Sequence, residues 1–278
     1  MSLKRRNFSA ISPFTYAISR EKEICKRKIK DVFQRKKFTK TISHEKLPHV
    51  VWSYSSGLIK TGKGIDPTLQ INKVDNIIVA AAQIDGLVIS PGEIFSFWQR
   101  VGNPSLKRGF RQGRVITQGV LKSGVGGGLC NLANTINLLV LNSSLTITEL
   151  HKHSDALAPD NNNRIPFGAG TSVSYNYIDY RFRNDTNQQF QIFLRCENNT
   201  LYGELRCQTM PQYTYRLLEE DHHFKKIDNH FYRFSKVYRE TIDVHTDMVI
   251  SKELIWDNKS RVMFDYDLIP KELVREHK

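Results

Sequence analysis

What this 278-residue chain lacks narrows its class before any motif is read. No apolar run approaches the ~20 residues that carry a helix across a bilayer. The opening Met1-Ser2-Leu3-Lys4-Arg5-Arg6 leads into mixed polar residues, not into the apolar core of a signal peptide. The expectation is therefore a cytoplasmic protein, at most peripheral at the inner face of the membrane. Cysteine is scarce: Cys25, Cys130, Cys196 and Cys207 are scattered and form no CxxC, which excludes a disulfide scaffold. A hairpin turning at Asn198-Asn199 would put Cys196 opposite residue 201 and leave Cys207 roughly 20 Å further on, at about 3.3 Å per residue. No bridge between them is expected. Repeats and low-complexity segments are absent, and so is any nucleic-acid motif, so no nucleic-acid partner is expected.

The net charge of +13 is unevenly spread, and the shortage of acid is confined to one end. Residues 1–40 hold thirteen Lys/Arg against three Asp/Glu, a net +10, which leaves +3 for the remaining 238 residues. Between Phe14 and Phe38, Phe14, Ile18, Cys25, Ile29, Val32 and Phe33 recur at helical spacing among Lys26, Arg27, Lys28, Lys30, Arg35, Lys36 and Lys37. Such a basic amphipathic helix either packs its stripe on the domain or lies on an anionic membrane surface. Residues 1–45 read as this arm, 46–210 as the core domain and 211–278 as a small β extension.

The pattern that follows predicts an α+β fold, mainly antiparallel sheet with a few helices. Strands are expected at His49–Tyr54, Leu87–Ile89, Ile94–Trp98, Arg114–Val120, Leu145–Leu150, Thr171–Phe182, Phe190–Cys196 and Leu201–Cys207. A helix is expected from Asn72 to Ile84 with Gly86 as its stop, and Ser90-Pro91-Gly92-Glu93 as a turn. In the tail, strands over Phe231–Thr241 and Met248–Trp256 precede an expected turn at Asp257-Asn258-Lys259-Ser260.

The chemistry concentrates at Gly124-Val125-Gly126-Gly127-Gly128-Leu129-Cys130-Asn131, a glycine-rich loop running into the helical stripe of Leu132, Ala133, Ile136, Leu139 and Val140. A cysteine in a first helical turn faces unpaired N–H groups and the positive end of the helix dipole, both of which favour a thiolate. Nucleophilic cysteine chemistry also needs a base, a group that orients the base, and N–H donors for an oxyanion. His151 and His153, two apart on one strand face, are the candidate bases, with Ser154, Asp155 or Asp179 as orienters. Gly126, Gly127, Gly128, Leu129 and Asn131 form the candidate contact with substrate or oxyanion. The competing reading is that glycines permit tight packing and the cysteine is a small core residue. Two histidines lack a third partner at metal-ligand spacing, His222, His223 and His230 belong to the polar tail, and the loop lacks the Lys-Ser/Thr ending of a phosphate cradle. No metal or cofactor is expected.

Five stretches together resemble the VanW family: Asn72 with its apolar helix to Gly86, Pro91-Gly92-Glu93-Ile94-Phe95-Ser96-Phe97, Gly126-Gly127-Gly128-Leu129-Cys130, His151-Lys152-His153-Ser154, and Val173-Ser174-Tyr175 through Asp179. The resemblance covers roughly Asp66 to Cys207. It implies a cell-wall and glycopeptide-resistance context, since the family takes its name from vancomycin-resistance gene clusters. Exported relatives resemble L,D-transpeptidases, which implies Cys130 as the nucleophile attacking a peptide carbonyl, His153 as the favoured base, and a peptidoglycan peptide or precursor as ligand. A non-enzymatic accessory or precursor-binding role is the alternative implication. The chain departs from the family at Gly170, where an acid is usual, at Asn131, commonly Gln, and at Ala133-Asn134, commonly Ser-Ser.

Overall fold

The computed structural model of the chain describes residues 11–61, 66–117, 120–152, 155–156, 170–175 and 178–275. The described residues form an α+β fold whose sheets are mainly antiparallel, in agreement with the sequence pattern. Its centre is α4 (Leu129–Leu141), buried on nearly every side because its residues are apolar almost all round. This helix lies against α2 (Pro67–Ala81) and against a sheet ordered β1 (His49–Gly57), β10 (Thr200–Cys207), β9 (Phe190–Glu197), β2 (Leu87–Ile89). Contact with β10 is close because Gly203 has no side chain; a Cβ there would come within 2.9 Å of Thr135 Cγ2. Asn198 and Asn199, both left-handed, turn the β9–β10 hairpin and set Cys196 opposite Leu201, and all four cysteines are free.

Where local pattern and structure differ, a side-chain hydrogen bond or tertiary contact decides. Helix α2 begins at Pro67, earlier than expected, because the Asp66 carboxylate accepts the N–H groups of Thr68 and Leu69 and Pro67 suits the first turn. The expected strand from Ile94 to Trp98 is cut after β3 (Ile94–Ser96): Ser96 caps α3 (Phe97–Val101) by accepting from Gln99 N–H, and Asp179 takes the Trp98 N–H. The region around Arg114–Val120 is a hairpin of β4 (Gln112–Thr117) and β5 (Val120–Val125). Strand β6 (Thr146–Glu149) ends before His151, and of Thr171–Phe182 only the last residues enter β8 (Arg181–Arg183). Asp179 N–H goes to the Glu149 carboxylate instead of a strand ladder. Strands β3, β8 and β6 make a second sheet in that order.

The tail is a meander of three long strands, β11 (Tyr213–Ile227), β12 (His230–Asp243) and β13 (Val249–Val262), the last also pairing in parallel with β7 (Asp155–Ala156). The turn expected at Asp257–Ser260 is absent because β13 runs straight through it. Trp256, Asn258, Ser260 and Val262 alternate inward, and Ser260 Oγ donates to Asn258 Oδ1 (2.7 Å), so burial overrides turn propensity. Val237 and Trp256 pack on Leu138 and Leu141, joining the tail to α4. At the other end, α1 (Pro13–Phe33) is capped reciprocally by Ser12 and Thr15, and the chain after it threads along the core: Thr39 N–H donates to Ile94 O and Val88 N–H to Thr41 O. No helix among the described residues is long and apolar enough to cross a membrane.

Candidate functional site

The glycine loop is held by contacts that only glycine allows. Gly126 and Gly128 are left-handed (φ 79° and 96°), and Gly127 stacks on Gly113 so closely that a Cβ would come within 2.2 Å of the Gly113 carbonyl carbon. Asn76, wholly buried on α2, fastens the loop: its amide donates to Gly127 O (2.8 Å) and Arg111 O (3.1 Å) and accepts Arg111 N–H (2.7 Å). Gly126 N–H donates to Arg111 O and Gly127 N–H to Gly124 O, so both of these donors are engaged inside the loop. Gly128 is the N-cap residue of α4, which puts Leu129 and Cys130 at its first two positions, and Asn131 N–H turns back to Gly128 O (2.9 Å).

Cys130 is partly buried against the core, and its Sγ lies 3.6 Å from Val173 O. Burial pushes the thiol above its ordinary value; the hydrogen-bonding influence of Val173, Ser172 and its own backbone works the other way and does not overcome it. The segment that borders it is tied to the residues after β6: Ser172 N–H donates to His151 O (2.6 Å), and Lys152 bridges Thr171. The His151 backbone thus adjoins the wall of the cysteine site, and its imidazole Nε2 is 2.9 Å from Glu149 Oε1. His153 and Ser154 lie outside the described residues.

Glu149, the group bonded to the His151 imidazole, was missed by the sequence reading, although its place two residues before His151 was the available signal. It accepts both guanidinium arms of Arg27 at 2.7 Å and the Asp179 N–H at 3.2 Å. Burial alone would raise its carboxyl, but the bonds from His151 and Arg27, and the charges of Arg27 and Arg181, hold it down at about 2. Asp179 is engaged elsewhere: its two oxygens accept from Ser96 Oγ (2.5 Å), Trp98 N–H (3.1 Å), Tyr180 N–H (2.9 Å) and Arg181 Nε (2.7 Å). Arg181 in turn forks onto Asp31 of α1 with two bonds of 2.7 Å. Asp155, the remaining orienter candidate, sits in β7 beside Arg261 of β13.

Lys73 escaped the sequence reading, and Asn134 entered it only as a departure from the resembled pattern. The stem of Lys73 lies across Gly128, whose Cβ would meet Lys73 Cγ at 2.2 Å. Burial, and then the charges of Lys60 and Arg114, lower the Lys73 ammonium to about 8. Asn134 follows Cys130 by one helical turn and shares its face. Its Oδ1 is buried without a hydrogen-bond partner among the described residues, and a Cβ on Gly170 would fall 2.0 Å from it. Two positions at which the chain departs from the pattern it resembles therefore touch: the Asn134 amide occupies the room a side chain at 170 would need. An open cleft of about 830 Å³ lies between the core and the tail, lined by Glu149, Phe190, Tyr215 and Arg239 among others, and Cys130 is not in its lining.

Residues 72–206 match the family described as VanW like protein. Over 227 residues, 82% of this chain and 82% of the relative, the sequence is 28% identical to the vancomycin B-type resistance protein VanW of Enterococcus faecalis (strain ATCC 700802 / V583). The chain belongs to the VanW family. The chain is also 34% identical over 117 residues, 42% of this chain and 37% of the relative, to the uncharacterized protein YoaR of Bacillus subtilis (strain 168). No solved structure matches the chain. The family match spans the loop, Cys130, Glu149, His151 and Asp179, and ends within β10, before β11 begins.

Proposed function

We propose that this VanW-family chain acts on peptidoglycan-type peptides or their precursors in the vancomycin-resistance setting recorded in the name of its Enterococcus relative, with Cys130 as nucleophile of an acyl transfer or hydrolysis. One observation carries the reading: the glycine loop presents Cys130 in the first turn of α4 beside a segment bonded to the His151 backbone. Burial favours the protonated form of the thiol, so the reaction begins with proton transfer to an imidazole, His151 or His153. Sγ then attacks the peptide carbonyl carbon, a C–S bond forms, the C–N bond breaks, and the departing amine takes the proton. An incoming amine or water releases the acyl group from the thioester. First-turn N–H groups of Gly128, Leu129 and Cys130 are the donors for the oxyanion, and Lys73 supplies positive charge for a substrate carboxylate at the loop.

The test is intact-mass spectrometry of the chain incubated with a D-Ala-terminated stem tetrapeptide. A mass increase equal to the acyl portion, absent in Cys130→Ser, is expected; product formation undiminished in Cys130→Ser overturns the assignment. A second reading, binding without bond change, draws on the raised thiol and on the Lys73, Lys60 and Arg114 charges near the loop. It predicts calorimetric binding of the same peptide that survives Cys130→Ser with no adduct in the parent chain.

A further inference from the structure

Helix α1 is attached by the side that its sequence pattern marks as polar. At about 100° per residue, Phe14, Ile18, Cys25, Ile29 and Val32 fall on one arc, while Arg27 and Asp31 lie about 150° away. Arg27 and Asp31 face inward, gripping Glu149 and Arg181, and Asp31 is only 6% exposed. The apolar arc faces out: Phe14 is 73% exposed, Val32 77% and Phe33, just past the arc, 83%, with Ile18 and Ile29 exposed beside them. Lys22, Lys26 and Lys28 flank this arc, all exposed and without an ion pair among the described residues. A helix that spends ion pairs on its inner face and leaves an apolar stripe in water has an interface still to make.

We infer that the outward face of α1 docks on an anionic lipid bilayer. The basic flanks decide between occupants: two copies meeting through this face would bring rows of lysines together, whereas anionic headgroups neutralise them while the apolar arc enters the interface. The bidentate Arg27–Glu149 and Arg181–Asp31 pairs fix the helix to the core, so docking orients the whole core and places the Glu149–His151 pair directly behind the membrane-facing helix. The inference stands whether or not Cys130 is a nucleophile.

The experiment uses the full chain with vesicles of phosphatidylcholine containing phosphatidylglycerol, and with phosphatidylcholine alone. Cys25 lies exposed within the arc while Cys207 is buried and Cys130 and Cys196 are partly so, which lets an environment-sensitive dye be placed on Cys25. Expected are co-sedimentation with the anionic vesicles only, a blue shift of the dye, and loss of binding as salt rises. The partition coefficient falls about tenfold or more in Val32→Glu/Phe33→Glu and likewise in Lys26→Glu/Lys28→Glu, both pairs being exposed and unneeded for the fold. Equal binding to both vesicle types overturns the inference. So does binding that persists in both variants but is abolished by deleting residues 1–10, or a dimer seen by sedimentation velocity that Val32→Glu/Phe33→Glu dissolves while vesicles capture nothing.

Discussion

The Arg181 cluster and the surroundings of Cys130 are both polar regions enclosed by the same core, and they are built in opposite ways. Around Arg181 the charges find partners: Asp31 and Asp179 take its guanidinium, Lys36 adds to Asp31, Ser96 and two backbone N–H groups complete Asp179, and Arg27 completes Glu149. Near Cys130, Asn134 Oδ1, Thr135 Oγ1 and Thr171 Oγ1 are buried with no hydrogen-bond partner among the described residues. Satisfied buried charge holds architecture together, here α1 to the core. Unsatisfied buried polarity costs stability, so the polar atoms around Cys130 do not hold the fold together as the Arg181 cluster does.

The largest effect should come from breaking the satisfied side. Arg181→Met strands Asp31 and Asp179 in the core and is expected to cost about 3–5 kcal/mol by denaturant unfolding. The next largest tests the meeting of Asn134 and Gly170. Gly170→Asp alone is expected to cost about 1–3 kcal/mol through the collision with the Asn134 amide, and combining it with Asn134→Ser should recover most of that loss. Additive losses would show that the two positions do not share the space.

Glu149→Gln is expected to cost about 1–2 kcal/mol at pH 7, since it weakens the charge-assisted bonds to Arg27. The sign of its pH dependence follows from the depressed carboxyl. Held at about 2 against an ordinary 4.5, Glu149 contributes fully above pH 4.5 and loses its contribution as pH falls toward 2. The gap between parent and variant in a pH series of urea midpoints should close over that window.

The smallest stability effect belongs to the site itself. Cys130→Ala should change unfolding by about 1 kcal/mol or less, because the residue is only partly buried. Iodoacetamide at pH 7 should label Cys25 first and Cys130 slowly, with the Cys130 rate climbing as pH passes the usual thiol range, since burial holds its proton. Fast labelling of Cys130 at pH 7 would mean that the site holds a thiolate after all.

Much of this molecule was legible from local pattern, where the determining interactions lie within a few residues. The start of α4 behind the glycine loop follows from left-handed glycines before an apolar helical stripe, and the Cys196–Leu201 register follows from two asparagines that tolerate positive φ. The basic arm was legible as a helix, but not which way it faces. That depended on Glu149 and Arg181, 122 and 150 residues away from the arginine and aspartate they bind. Distance in sequence likewise hid the strand through Asn258, the end of β3 at Ser96 imposed by Asp179, and the amide of Asn134 filling the place over Gly170. Periodicity and turn chemistry report what a segment prefers in water. Only the folded chain brings together the partners whose buried hydrogen bonds and steric contacts outweigh that preference.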